Sequence, residues 1–243
     1  MIVMVVGSGA REHALAHKLA QSPSVTRVLC APGNGGTAAF AKNLAVNAED
    51  IGAVVALAKA HAVDFVVVGP EGPLVAGLVD ALAVAGIEAF GANASAARLE
   101  GSKSFSKRFM LRHGIPTAQA AMFDDADAAT AYALAHGEPL VVKADGLAAG
   151  KGVIVASTMQ ETLDAIDLVM RKREFGAAGT HVVLEHRLYG EEVSYHVVLD
   201  GERYVALAAA QDHKRIFDGD EGPNTGGMGA YSPPPVVTAD VER

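Results

Sequence analysis

The chain contains 243 residues, half of them hydrophobic, and it carries a formal net charge of −8 at pH 7. This length supports one large domain or two modest ones with enough core to fold unaided. The acidic balance excludes the basic surface of a nucleic-acid-binding domain, and the single cysteine, Cys30, excludes an internal disulfide framework. Because Cys30 lies in an apolar run, we expect it in the core of a protein from a reducing compartment.

The apolar segment 2–6 at the start of the chain is far too short to span a bilayer, and it lacks the flanks of a signal peptide. Asn93 begins a glycosylation-type tripeptide, but without a secretion signal we interpret that match as chance. These features predict a cytoplasmic protein with no membrane partner.

Strands and helices alternate along the first hundred residues. Predicted strands cover 2–6, 27–31, 44–46, 65–68 and 87–90. Three helices are predicted between these strands. The first ends near Gln21, the second begins after Asp50 as its N-cap, and the third covers about 74–85. Because the strands are uninterrupted apolar runs, the pattern indicates an α/β fold with a parallel sheet.

Glycine-rich segments follow three of these strands, at 7–13, 32–36 and 69–73. In parallel α/β sheets, ligands lie beyond the carboxyl ends of the strands. We therefore expect a small anionic ligand at this edge, with a phosphate at the N-terminus of the first helix assisted by Arg11.

Two other interpretations of the first glycine-rich segment are weaker. Gly7 and Gly9 begin a dinucleotide fingerprint, but Glu12 occupies its third glycine position, which disfavours a nicotinamide cofactor. Glu12 also fits as a first-turn acid favoured by the helix dipole. His13 and His17 have zinc-compatible spacing without a third ligand, so His17 is interpreted as structural or solvent-facing, and the role of His13 stays open.

The middle of the chain is predicted to begin with a connecting helix at 102–113, whose basic residues face either solvent or a cleft between domains. Asp124 to Asp127 are expected to cap the next helix rather than bind metal. Further predictions are a helix at 161–173, a strand at 182–185, a hairpin of 193–199 with 204–210, and a long functional loop at 218–229.

Residues 139–156 form the most informative segment, with two apolar strands joined by a loop of small residues. Lys143 and Lys151 supply positive charge, and the glycines at 146, 150 and 152 let the backbone approach a polyphosphate. A Walker P-loop is excluded because the glycine spacing is one residue short and a strand follows where a helix is required. An ordinary glycine-rich hairpin with exposed lysines remains an alternative.

The strand that ends in Glu185 is followed by a second acidic pair, Glu191 and Glu192. Such a segment can present backbone groups to a purine and a carboxylate to a ribose. An edge strand with exposed acids would give the same pattern.

Seven motifs in consistent order resemble those of the phosphoribosylamine–glycine ligase family, which are ATP-grasp enzymes of purine biosynthesis. The matching segments are 7–15, 31–37, 69–71, 101–103, 143–153, 211–215 and 222–233. The resemblance implies a Rossmann-like parallel-sheet domain at 1–101, a connecting helix with an ATP-grasp lid at 102–188, and the beginning of the larger ATP-grasp subdomain at 189–243.

The activity implied by this resemblance joins glycine to 5-phosphoribosylamine with ATP, through a glycyl phosphate, giving glycinamide ribonucleotide, ADP and phosphate. ATP and Mg²⁺ (or Mn²⁺) are the implied cofactors, and a monomer or weak dimer is expected. A non-catalytic nucleotide-binding fragment and another ATP-grasp carboxylate–amine ligase remain alternatives.

The resemblance also implies roles for individual residues. The implied catalytic residues are Lys143, Lys214 and Asn224. The implied ATP-binding residues are Lys103, Lys143, Gly146, Gly150, Lys151, Gly152, Glu185, Leu188 and Glu192. The implied substrate-binding residues are Gly7, Gly9, Arg11, Glu12, His13, Gly69, Pro70, Glu71, Asp212, Lys214, Thr225 and Gly226.

Two departures from the family pattern stand out. Ala10 replaces a glycine that is common in the first loop. The family's metal ligands, a Glu and an Asn, would lie beyond Arg243, so no metal ligand is expected within this chain. We therefore expect the 243-residue chain to have little or no ligase activity alone.

Overall fold

The computed structural model describes residues 1–148, 151–219 and 221–242, and of residues 223 and 224 it describes the backbone. The chain forms two compact units, Met1–His186 and Arg187–Arg243. Each is described by itself below. The division into domains at 1–101, 102–188 and 189–243 stays a prediction.

A five-stranded parallel sheet organises the first part of unit one, as predicted. Its order is β3-β2-β1-β4-β5. The strands are β1 (Ile2–Gly7), β2 (Arg27–Pro32), β3 (Lys42–Asn43), β4 (Phe65–Val68) and β5 (Glu88–Phe90). The central position of β1 brings the carboxyl ends of β1, β2 and β4 together, because Val6 is in register with both Ala31 and Val68.

The third strand was predicted two residues too late. Strand β3 covers Lys42–Asn43. Leu44, the next residue, donates its N–H to the Cys30 carbonyl of β2 and is buried in the core with Val54 and Val66. An apolar residue that follows a short edge strand packs inward, so its hydrophobicity was mistaken for strand structure.

The helices flanking this sheet are α1 (Ala10–Ala20), α2 (Ile51–Ala60), α3 (Glu71–Val75), α4 (Leu78–Val84) and α5 (Ala94–Gly101). The single helix predicted at 74–85 is wrong. Gly77 adopts a left-handed conformation with φ of 87°, which separates α3 from α4. Asp50 caps α2 as predicted, and Asn93 caps the unpredicted α5 by accepting a hydrogen bond from the Ala96 N–H.

An antiparallel sheet forms the second part of unit one, in the order β6-β9-β7-β8. Its strands are β6 (Ala120–Phe123), β7 (Leu140–Ala144), β8 (Val153–Val155) and β9 (Val182–His186). The accompanying helices are α6 (Lys103–His113), α7 (Ala126–His136) and α8 (Met159–Ile166). Asp125 caps α7, so the predicted capping role of this acidic segment is confirmed.

The helix predicted at 161–173 is shorter and begins earlier. Thr158 caps α8, which gives way to a π-helical segment at Asp167–Arg171. Apolar residues of α7, α8 and the sheet form a separate core that includes Leu140, Ile166 and Leu184. Cys30 is buried in the core of the first sheet, as predicted.

The described residues of unit two form three two-stranded sheets. The strands are β10 (Val197–Asp200), β11 (Arg203–Ala206), β12 (Gln211–Asp212), β13 (Arg215–Phe217), β14 (Glu221–Asn224) and β15 (Ala230–Tyr231). The hairpin turn at Asp200 and Gly201 is confirmed, although its strands are shorter than predicted. The loop predicted at 218–229 is partly wrong, because Glu221–Asn224 within it form β14, which pairs with β13. Within the described residues, no helix has the length and apolar character needed to cross a membrane.

Substituting Leu82 by alanine tests the importance of the first core. Leu82 is fully buried in α4, so the substitution should lower the free energy of unfolding by about 2–5 kcal/mol. The matched control is Val84→Ala on the same helix, where the side chain is 92% exposed and little change is expected. Urea denaturation followed by circular dichroism measures both, and equal effects would contradict the described packing.

Candidate functional site

A cleft of about 360 Å³ lies between α6, β7, β9 and the segment that follows β7. We call it the lysine cleft, because Lys103, Lys107 and Lys143 line it together with Glu185 and Gly146. Of the predicted ATP-binding residues, the structure thus brings together Lys103, Lys143, Gly146, Gly152 and Glu185. Three ammonium groups line the cavity together with the carboxylates of Glu71, Glu100 and Glu185, so a polyanion would bind there through contacts with individual lysines.

Lys143 and Glu185 meet because their strands are neighbours. In the antiparallel ladder Lys143 is in register with Val183, and Glu185 with Val141, so the two side chains share one face as a diagonal pair. The Lys143 Nζ donates to the Glu185 Oε2 at 2.7 Å. Glu185 is buried, so its carboxylate depends on such partners to compensate for lost hydration.

Lys107 is the second partner of Glu185. Its Nζ lies 3.2 Å from the Glu185 Oε1, and it donates to the Thr117 Oγ1 at 2.6 Å and the Ala118 carbonyl at 3.0 Å. The side chain of Lys107 is only 3% exposed. A carboxylate between two ammonium groups is the electrostatic centre of the cleft.

Lys103 holds the segment that follows β7. Its Nζ donates to the Gly146 carbonyl at 2.7 Å. Partial burial lowers the pKa of the Lys103 ammonium, and the neighbouring carboxylates of Asp145 and Glu100 oppose that effect. The ammonium is therefore less hydrated than that of a surface lysine, so it loses less hydration when it binds a phosphate oxygen.

Asp145 fastens the same segment to the start of α6. Its Oδ1 accepts a hydrogen bond from the Ser104 N–H at 3.1 Å and another from the Ser102 hydroxyl at 3.1 Å. Burial alone would raise the pKa of the Asp145 carboxyl, but the hydrogen bonds from Ser104 and Ser102 outweigh burial and lower it. An acid at a helix N-terminus gains further from the helix dipole.

The predicted glycine-rich segment lies partly outside the described residues. Gly146, with φ of 140°, and Gly152 both line the lysine cleft. A Cβ on Gly152 would lie 2.7 Å from the Ala148 Cβ, so a side chain there would displace its neighbour. Lys151 is exposed and does not line the cleft, and Gly150 is outside the described residues.

A second cleft, of about 460 Å³, lies at the carboxyl edge of the parallel sheet. We call it the edge cleft. Among the predicted substrate-binding residues, Arg11, Gly69 and Glu71 line it. Glu71, Leu99 and Glu100 also line the lysine cleft, so the two cavities share a wall. Ligands in them would lie side by side.

Glu12 organises the edge cleft from beneath. It is 5% exposed, and its carboxylate accepts hydrogen bonds from the Gly9 N–H at 2.7 Å and the Arg11 Nε at 3.0 Å. Gly7 and Gly69 make room for it, because a Cβ on Gly7 would lie 2.7 Å from the Glu12 Cγ and one on Gly69 would lie 2.2 Å from its Oε1. Beyond the first-turn acid that was predicted, Glu12 is therefore a buried capping side chain.

The remaining residues of the sheet edge pack beside this arrangement. Pro70 precedes α3 and lies close to Gly7. His13 packs against the Phe40 ring at a centroid distance of 5.5 Å, and the exposed His17 contacts the same ring edge-on. Among the described residues, no group of three His, Cys, Asp or Glu side chains is placed to hold a metal ion.

Unit two brings several other predicted residues together around Lys214. Its Nζ donates to the Glu192 Oε2 at 2.6 Å and lies 3.9 Å from the Asp212 Oδ1. The hydrogen bond to Glu192 raises the pKa of Lys214. The Thr225 hydroxyl and N–H both donate to the Lys214 carbonyl.

Three further predicted residues also belong to unit two. Leu188 is 74% exposed, and Gly226 is exposed beside Thr225. Asn224 is part of β14, and its side chain lies outside what the structure describes.

Lys107 and Asp145 are the contributors that the sequence interpretation missed. The basic residues of α6 were predicted to face either solvent or a cleft, and Lys107 faces the cleft. The available signal was its spacing of four from Lys103, which places both ammonium groups on one face of a helix. The position of Asp145 directly before the first loop glycine carried no comparable signal.

Comparison with known proteins identifies the family of this chain. Residues 1–100 match the family described as phosphoribosylglycinamide synthetase, N domain, and residues 101–243 match its ATP-grasp (A) domain. The chain belongs to this synthetase family. The curated phosphoribosylamine–glycine ligase of Xanthomonas axonopodis pv. citri is 56% identical over 99% of this chain and 56% of its own length.

Solved structures include proteins with the same fold as this chain. The phosphoribosylamine–glycine ligase of Thermotoga maritima has a TM-score of 0.77 and 33% identity, covering 95% of this chain and 55% of that one. The biotin carboxylase domain of Hydrogenobacter thermophilus 2-oxoglutarate carboxylase, solved with MgADP, has a TM-score of 0.68 at 17% identity, covering 88% and 50%. The latter likeness concerns the fold alone. The chain spans about half the length of these relatives.

Substituting Gly69 by alanine tests the packing around Glu12. The new Cβ would overlap the Glu12 carboxylate, so we expect the unfolding free energy to fall by about 1–3 kcal/mol. Gly35→Ala is the control, because a Cβ at Gly35 meets no atom within 4 Å. Chemical denaturation measures both variants, and an unchanged Gly69→Ala would contradict the described contact.

Asp145→Asn tests the capping carboxylate through pH. Because folding lowers the pKa of Asp145, its ionised form stabilises the fold above the ordinary value of 3.8, and that stability is lost as pH falls through the lowered pKa. The stability difference between the original chain and Asp145→Asn should therefore be constant near neutral pH and shrink below about pH 4. Denaturation at several pH values measures it, and a difference independent of pH would refute the prediction.

Proposed function

We propose that this chain belongs to an ATP-dependent ligase that joins glycine to 5-phosphoribosylamine. The observation that carries the proposal is the shared wall of the lysine cleft and the edge cleft. ATP would lie in the lysine cleft with its phosphates on Lys103 and Lys143. The phosphoribosylamine would lie in the edge cleft near Arg11.

The reaction needs two steps because a carboxylate has no good leaving group. An oxygen of the glycine carboxylate attacks the γ-phosphorus of ATP, the bond to the bridging oxygen breaks, and ADP leaves with that electron pair. The sugar amine then attacks the glycyl carbonyl carbon, phosphate leaves, and the amine nitrogen loses a proton. Negative charge spreads over the phosphoryl oxygens in the first step, where fixed ammonium groups stabilise it.

The arrangement of the cleft supports distinct roles for its lysines. Lys143 is oriented by Glu185 and remains 26% exposed toward the cleft, so it can contact phosphate directly. Lys103 already binds a backbone carbonyl of the loop, and a phosphate oxygen would be a stronger partner for it. Gly146 and Gly152 would then close over the triphosphate.

The family motifs suggest roles for further residues, Glu185 of unit one and several of unit two. Glu185 and Leu188 would each contact the adenine, and Glu192 the ribose. Asp212, Lys214, Asn224, Thr225 and Gly226 would face the phosphates and substrates. The ion pair of Lys214 with Glu192 supports their grouping.

A divalent cation, Mg²⁺ or Mn²⁺, would neutralise charge on the β- and γ-phosphates when bound. The described side chains offer no three-ligand site for it. The roles proposed for the lysines depend on their own charges and positions.

Lys143→Ala should weaken ATP binding by about tenfold or more, because a direct charge-assisted contact is lost. Isothermal titration calorimetry with ATP measures the dissociation constant. The matched control is Lys59→Ala, an exposed lysine on α2, for which no change is expected. Equal affinities of the Lys143→Ala variant and the unaltered chain would refute the assignment.

The ligase activity is tested by ADP release from the complete protein that contains this chain. Release should require glycine and 5-phosphoribosylamine together, and Lys143→Ala should lower it by about 100-fold or more. A panel of other carboxylates and of bicarbonate serves as the control. Faster release with one of those compounds would assign the protein to a different ATP-dependent ligation.

A further inference from the structure

Lys107 is a buried charge that the proposed chemistry leaves without a role. Its side chain is 3% exposed and lies behind Glu185, whereas Lys143 on the other side of the carboxylate is 26% exposed. The two oxygens of Glu185 are divided between them, with Oε1 toward Lys107 and Oε2 toward Lys143. The three groups form a chain that runs from the protein interior to the cleft.

The Lys107 ammonium is held by three partners. It donates hydrogen bonds to the Thr117 hydroxyl and the Ala118 carbonyl, and it forms an ion pair with the Glu185 carboxylate at 3.2 Å. These contacts fix the position of the ammonium. A buried ion pair usually contributes little more stability than apolar packing of the same volume, so stability alone does not account for a lysine at this position.

The summed charge of Lys107, Glu185 and Lys143 explains what Lys107 does. Without it, Glu185 would neutralise Lys143, and the pair would present no net charge to a phosphate. With Lys107 present, two ammonium groups face one carboxylate, so the three groups together carry one net positive charge. Lys107 also holds the Glu185 carboxylate in the orientation that aims Oε2 at Lys143.

We infer that Lys107 is a positioning residue for nucleotide binding, which acts through Glu185 to leave Lys143 free to contact the phosphates of ATP. The inference rests on the proposed function of the lysine cleft. Lys107 is part of the cleft wall, but with only 3% of its side chain exposed it acts on the nucleotide through Glu185.

The test is a double-mutant cycle on ATP affinity, measured by calorimetry on the purified chain. Lys107→Met removes the buried cation, so ATP affinity should fall about tenfold. Adding Glu185→Gln to that variant restores the net charge of the three groups, so the double variant should bind ATP more tightly than Lys107→Met does. Adenosine, which has no phosphate, should bind the unaltered chain and Lys107→Met within about twofold of one another.

Two further variants keep the test decisive. Arg112→Met removes an exposed cation from the same helix and should leave ATP affinity unchanged. Lys107→Gln keeps an amide donor for Thr117 without the charge, and it should reproduce the weakening if Lys107→Met does not fold.

The outcomes separate this inference from the proposed function. Absence of ATP binding by the unaltered chain overturns both. Normal ATP binding that neither Lys107 variant weakens overturns the inference alone. If the double variant binds ATP more weakly than Lys107→Met, or if Lys107→Met loses adenosine affinity by the same factor as ATP affinity, Lys107 has a purely structural role. Either result also overturns the inference.

Discussion

The buried carboxylate of Glu185 is the constraint on which the organisation of the lysine cleft depends. A carboxylate with so little exposure must be compensated by cations, and it recruits one from the neighbouring strand and one from helix α6. Strand β7, strand β9 and α6 are therefore held at fixed distances by a single group. The cleft lies where these elements meet, and the three paired groups carry one net positive charge because two lysines share one acid.

Hydrogen bonds at the start of α6 extend the same organisation to the glycine-rich segment. Asp145 caps the helix from outside its own sequence, and Lys103 holds the carbonyl of the next residue, Gly146. The loop is thus connected at its root to the helix that supplies the lysines. Buried polar groups elsewhere are also hydrogen-bonded, because no buried side-chain N or O atom among the described residues lacks a partner.

The parallel sheet supplies the second half of the site by a different route. Its edge is built from glycines whose missing Cβ atoms make room for Glu12, so the acid that spoils a dinucleotide fingerprint is the side chain that shapes the edge cleft. The shared residues Glu71, Leu99 and Glu100 then place this edge beside the lysine cleft.

Local patterns were sufficient for much of this protein. Uninterrupted apolar runs predicted the parallel sheet, and capping residues such as Asp50 and Asp125 marked helix starts, because these features depend on neighbours within a few residues. Lys143 and Lys103 could be assigned to the site from their motifs. The break at Gly77 was missed because the sequence does not reveal that this glycine adopts a left-handed conformation. Strand β3 was placed too late because the apolar Leu44, which packs into the core, was taken for strand. Glu185 lies 78 positions from Lys107 and 42 from Lys143, so no local pattern encodes their pairing. The pairing arises because a helix packs onto a sheet whose strands are remote in the chain.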